Sequence, residues 1–133
     1  MKRTILNSLI TFIVCFIAFS CFFITFHGIP LLGLPQQENI IRSTITNKIT
    51  NETVVVNTEK ELEIARNATN LLNFKLGTTL KENPKFEIVY ELKDHTKVTI
   101  SANEKTVYFK NRAFSIKGDN GTLFVNIVEG YFF

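Results

Sequence analysis

The chain has 133 residues, two cysteines and a formal charge of +3, but Lys2 and Arg3 precede an apolar run and from Gln36 onward 13 Lys and Arg meet 12 Asp and Glu, a net of +1. That balance, with lysines interspersed among acids, gives no sign of the basic patch that nucleic-acid binding needs, and nucleic acid is not expected as a partner. Once the head and a short spacer are set aside, about 95 residues remain, enough for one small core and too few for two.

The first element is the head itself. Residues Thr4 to Phe26 carry no ionised side chain. As a helix these 23 residues would be roughly 35 Å long, against a hydrocarbon core of about 30 Å, so the segment is long enough to span a bilayer with modest tilt. A cleavable signal has a shorter apolar region followed by small residues. Ala18 and Ser20 are small, but the apolar run continues through CFFITF beyond them. Lipidation of Cys21 would need small residues just before it, and Phe19 is bulky. The expectation is therefore an uncleaved anchor, with secretion after signal cleavage as the alternative. Lys2 and Arg3 precede the span and His27 to Gln37 hold no Lys or Arg, so positive-inside bias puts the N-terminus in the cytoplasm and the rest outside the cell. Cys15 and Cys21 lie about 240° apart around a helix and read as small apolar residues in lipid. His27 suits the headgroup level at the end of the span.

Residues 27–39, with two Gly and two Pro, read as an extended spacer whose Leu31, Leu32 and Leu34 rest on the interface or on the domain. The domain is expected over 40–133. Ile40 to Lys48 is β-branched, NKITNE supplies turn residues, and TVVVNT from Thr53 makes a second strand, giving a hairpin. Thr58 with Glu61 three residues on is a capping box, and Leu62, Ala65, Ala68, Leu71 and Leu72 fall at helical spacing, predicting one amphipathic helix of about 15 residues. NFKLGTTLKENP reads as loop. After Pro84 the period becomes two: Phe86, Ile88, Tyr90 and Leu92 alternate with Glu87, Val89 and Glu91. Turns at KDHT, ANEK and GDNG then separate strands around Val98–Ile100, TVYFKN and Arg112–Lys117. TLFVNIVEGYFF is expected to be the last strand, with Leu123, Val125 and Ile127 on one face and a packed C-terminus. The fold class is α+β: a hairpin, one helix and an antiparallel meander.

Chemistry-bearing residues are few. His95 is the one histidine of the domain and lies in a polar turn beside Asp94. As a base it would need Ser101 or Thr99 nearby, and no motif places them together, so it reads as a solvated turn residue and no enzyme is expected. No HExxH, paired-cysteine or DxDxDG pattern is present, so no metal or cofactor is expected; GDNG reads as a turn. Glu87 and Glu91 share a strand face about 13 Å apart, too far for joint catalysis. GTTLKENP lacks the phosphate-loop pattern. Asn51, Asn67 and Asn120 begin Asn-x-Thr triplets of a kind that arises by chance. Tyr108 and Phe124 fall on the opposite parity from their strands' core residues, which makes them the candidate binding platform on an outer sheet face.

The stretches TVVVNTEKELEIARNATNLLNF and FEIVYELKDHTKVTISANEKTVYFKNRAFSI, with the apolar head and a composition rich in Ile, Lys, Asn and Phe, resemble small extracytoplasmic proteins of Gram-positive bacteria. Those carry one N-terminal membrane segment or signal and a short domain of unknown function. The resemblance is one of layout and implies a domain that binds or regulates. The expectation is a single-pass membrane protein with a non-enzymatic binding or accessory domain for a peptide, protein or cell-wall partner. Alternatives are a small-ligand domain around His95 and Asp94 and a structural subunit of an envelope complex.

Overall fold

A computed structural model describes residues 2–76 and 82–133, with the backbone alone for residues 25–27. Helix α1 spans Lys2–His27 and is long and apolar enough to cross a membrane, a test that a signal sequence also passes. Two of its hydroxyls bond inside the helix: Thr11 Oγ1 donates to the Asn7 carbonyl at 2.8 Å and Ser20 Oγ to that of Phe16 at 2.9 Å. Such bonding is the arrangement hydrocarbon demands of a hydroxyl. This layout fits a chain that is membrane-anchored or secreted.

The remainder is α+β, as the patterning implies. Strands β1 (Ile40–Asn47) and β2 (Thr53–Val56) form the hairpin, and α2 (Glu59–Asn70) follows. Then come β3 (Phe74–Lys75), β4 (Phe86–Leu92), β5 (Lys97–Ala102), β6 (Thr106–Phe109), β7 (Arg112–Ile116) and α3 (Asn120–Phe132). All strand pairs are antiparallel, in one sheet ordered β2-β1-β4-β5-β6-β7-β3. The edge strand β3 lies inside the segment read as loop; at two residues it leaves no periodic signal.

α2 forms where its cap predicts: Thr58 Oγ1 accepts from the Glu61 N–H at 3.3 Å, and Glu59 and Glu61 sit at the positive end of the helix dipole. It buries Leu62, Ala65 and Ala68 and stops at Asn70, shorter than the expected 15 residues, with Leu72 buried just beyond. On β4, Phe86, Ile88 and Tyr90 are buried, and Glu87 and Glu91 on the other face pair with Lys48 at 3.1 Å and Arg42 at 2.7 Å. Those two acids are held by strand-to-strand ion pairs on a solvated face. The Tyr90 hydroxyl, fully buried, lies 3.1 Å from Thr69 Oγ1; burial, opposed by that bond, pushes its pKa well above the ordinary tyrosine value.

The expected C-terminal strand is instead α3. Phe124, Val125 and Val128 are buried and Leu123 and Ile127 are exposed, a helical spacing where alternation would have grouped Leu123, Val125 and Ile127. GDNG is correspondingly no hairpin turn: Gly118, at φ 58°, reverses the chain into the helix. Gly121 is pressed against the β5–β6 turn so closely that a Cβ there would stand 2.0 Å from the Glu104 carbonyl oxygen. α2 and α3 share one core with the inner sheet face.

Residues 27–39 are no free spacer. Gly28, at φ 76°, ends α1 by donating to the Ile24 carbonyl at 2.9 Å. Ile29 then bridges Phe74 through reciprocal backbone bonds of 2.7 and 2.8 Å, Leu31 is buried in the core, and Arg66 Nε donates to the Pro35 carbonyl at 2.6 Å. The segment is laid along the domain, and Leu32 alone of its three leucines is left highly exposed.

Candidate functional site

With both helices on one face, the opposite face of the sheet is open. Strand parity decides what it displays. Ile100 and Ala102 of β5 point inward, so Lys97, Thr99 and Ser101 point outward; Val107 and Phe109 of β6 point inward, so Tyr108 points outward opposite Ser101 and Ala113. The β6–β7 turn has both central residues left-handed, Lys110 at φ 50° and Asn111 at φ 63°, the two-residue hairpin that matches strand twist. It carries Lys110, Asn111 and Arg112 to the rim.

These residues line a groove of about 760 Å³. Among the described residues its wall holds three cations, Lys97, Lys110 and Arg112, with the Thr99, Ser101 and Tyr108 hydroxyls and the Asn111 amide, and no carboxylate. Gly33 completes it: at φ 94°, it lies so near Lys110 that a Cβ there would stand 2.3 Å from the ammonium nitrogen. Glu91, which faces Lys97 across the β4–β5 pair, is ion-paired with Arg42. Lys110 Nζ also sits 5.4 Å from the centroid of the Phe109 ring. The arrangement presents donors and positive charge, which suits an anionic ligand.

Tyr108 lies where its parity predicts, half-buried in the groove, and its hydroxyl donates to the Glu82 carbonyl. Phe124 does not lie on the sheet at all: it is fully buried on α3, in the core. The two expected platform residues are thus not brought together. His95 and Asp94 do not line the groove. Asp94 Oδ1 accepts from the Thr96 hydroxyl at 2.6 Å and the Thr96 N–H at 3.0 Å, and these bonds hold its carboxyl below the usual range; His95 is exposed at the left-handed position of the turn, φ 67°. The acid is engaged in shaping the hairpin, and Thr99 and Ser101 sit in the groove without the histidine. Gly77 to Lys81 of GTTLKENP and the side chain of His27 lie outside the described residues. Among the described residues no group of three His, Cys, Asp or Glu is placed to hold a metal ion.

Sequence reasoning missed Lys97, Lys110 and Arg112. They are separated along the chain and converge through the β5–β6–β7 pairing. The one available signal was the alternation of Lys97, Thr99 and Ser101 on the face of Tyr108.

No protein-family model and no curated protein matches the chain. Among solved structures it is similar to a protein described as a candidate lipoprotein from Clostridium perfringens, at 17% identity and a TM-score of 0.45, over 71% of this chain and 84% of that one.

Proposed function

We propose that this is a single-pass membrane protein whose non-enzymatic domain, on the outer side of the membrane, binds an anionic wall polymer in the groove between β5 and β7. α1 is the anchor, with Lys2 and Arg3 on the cytoplasmic side. The observation that carries the reading is the groove wall, which among the described residues has three cations, four neutral hydrogen-bonding side chains and no carboxylate. Lys97, Lys110 and Arg112 attract the charges of the polymer. Thr99, Ser101 and Asn111 offer hydrogen bonds to its hydroxyls, and Tyr108 gives a ring for a sugar to rest on. Single cations at an exposed rim contribute little, so affinity would come from several repeat units engaged together.

The test is sedimentation of the purified full chain with isolated cell walls. Binding should fall as salt rises, because the charges are solvated. Lys97→Gln with Arg112→Gln should weaken it about tenfold, and Tyr108→Ala should weaken it without unfolding the domain. Equal binding to walls stripped of their anionic polymer would refute the reading, and preference for polyglutamate over walls would replace the polymer with an acidic peptide. The anchor is tested separately: protease added to intact cells should remove the domain.

A further inference from the structure

We infer that α3 rests on the outer leaflet of the membrane that α1 crosses, with Leu123, Ile127 and Tyr131 in the interface. The inference rests on the reading of α1 as a retained anchor, and on three observations about how the chain leaves the bilayer.

The first is the length of the link. α1 ends at His27 and Ile29 is already bonded to Phe74, so one residue, Gly28, separates the helix from the sheet. A link of one residue spans only about 4 Å per peptide unit, so the domain has no freedom to stand away from the lipid surface. Some face of it must meet the headgroups.

The second is which element begins at that point. A Cβ on Gly28 would stand 2.9 Å from the Lys117 Cβ, so the exit of α1 lies against Lys117. Lys117 also donates its N–H to the Asn73 carbonyl at 2.8 Å, fixing the end of β7 beside the docked segment. α3 starts three residues later, at Asn120. Its N-terminal end therefore lies beside the membrane exit, together with the C-terminal end of α2, just beyond which the Asn73 Cβ would stand 3.2 Å from the same Cβ on Gly28.

The third is the surface α3 shows. Leu123, Ile127 and Tyr131 recur every four residues and are all exposed, at 47%, 37% and 50%. They form one stripe about 12 Å long. The helix carries a single ionisable acid, Glu129, which falls with Thr122 and Asn126 on the other side of the exposed face. A helix with one exposed apolar stripe ending in a tyrosine and a narrow polar face has the makeup of an element lying in the headgroup boundary. Lys117, next to the exit, would sit at the level of anionic headgroups.

The experiment uses the full chain with Cys15→Ser and Cys21→Ser, a single cysteine placed by Leu123→Cys, Ile127→Cys or Val55→Cys, and an NBD label. Val55 is exposed on β2, the edge of the sheet opposite β3, six strand spacings or about 29 Å across it. The labelled chains are reconstituted in phosphatidylglycerol vesicles, and lipids brominated near the headgroup end of their acyl chains are the quencher. Labels at 123 and 127 should lose about half of their emission while the label at 55 loses almost none. Equal, weak quenching at all three positions in a chain that floats with the vesicles would overturn the seating of α3 while leaving α1 as an anchor. Failure to float would refute the anchor itself, and the inference with it. Protection of 123 and 127 that depends on protein concentration, without quenching by lipid, would assign the stripe to a second copy of the chain and overturn the inference.

Discussion

Gly121 and Gly130 stand nine residues apart on α3 and should respond to the same substitution with opposite signs. At Gly121 a methyl group meets the Glu104 backbone, with the carbonyl carbon 2.5 Å away, and backbone cannot yield as a side-chain tip would. Gly121→Ala should cost about 1–3 kcal/mol through overpacking. Gly130 has nothing within 4 Å of its position, so Gly130→Ala removes only the entropic handicap of glycine in a helix and should stabilise by about 0.5–1 kcal/mol. Denaturant midpoints of the two variants check both; similar shifts would mean that α3 does not pack as described. The same residues explain a misreading. GDNG looks like a turn because Gly and Asn favour turns, whereas Gly121 is there because only a hydrogen fits against Glu104. No sequence pattern distinguishes a glycine chosen for conformation from one chosen for space.

The β5–β6 turn and the start of β4 are tied by Lys85 and Glu104, 2.7 Å apart. That bond is the main cause that holds the Glu104 carboxyl below its ordinary range and lifts the Lys85 ammonium above its own. A carboxylate whose pKa is depressed by folding adds stability above its ordinary value of 4.5, and the contribution is lost as the pH falls through the folded value. The lysine, raised by folding, adds stability below 10.5 and loses it as the pH rises through its folded value. Both groups are about a third exposed, so screening keeps the pair near or below about 1 kcal/mol. Glu104→Gln should lower the urea midpoint at neutral pH, and the difference from the parent chain should vanish near pH 3 and shrink in high salt. At this scale much was legible in the residues. α2 announced itself through its cap and stripe, and β4 through Phe86, Ile88 and Tyr90. α3 did not, because Leu123 to Val128 satisfies a period of two and a period of 3.6 in a stretch too short to separate them, with β-branched residues favouring the wrong one. The inner-facing role of Phe124 was lost with it. The groove stayed hidden for another reason: its cations are assembled by pairing three strands, which the charge count alone does not register.

For the molecule as a whole, the decisive joint is Gly28. Its left-handed backbone and the 3.0 Å between a would-be Cβ and the Phe74 carbonyl oxygen both exclude a branched side chain. Gly28→Val should cost about 1–3 kcal/mol locally, release Ile29 from Phe74 and open residues 27–37 to protease, while the rest of the domain melts nearly as before. Proteolysis rates and thermal midpoints measured on the same preparation check this; a midpoint that falls as steeply as the cutting rate rises would make the joint part of the cooperative core. Ile29 also has an effect on the ends of the sheet. By bridging Phe74 it covers the outer side of β3 at one end of the sheet, while the four-residue β2 forms the other end. Two sheets annealing through β2 would each carry the docked Ile29 at the far end, so the same joint that ties the domain to α1 works against growth of such a pair into a fibre.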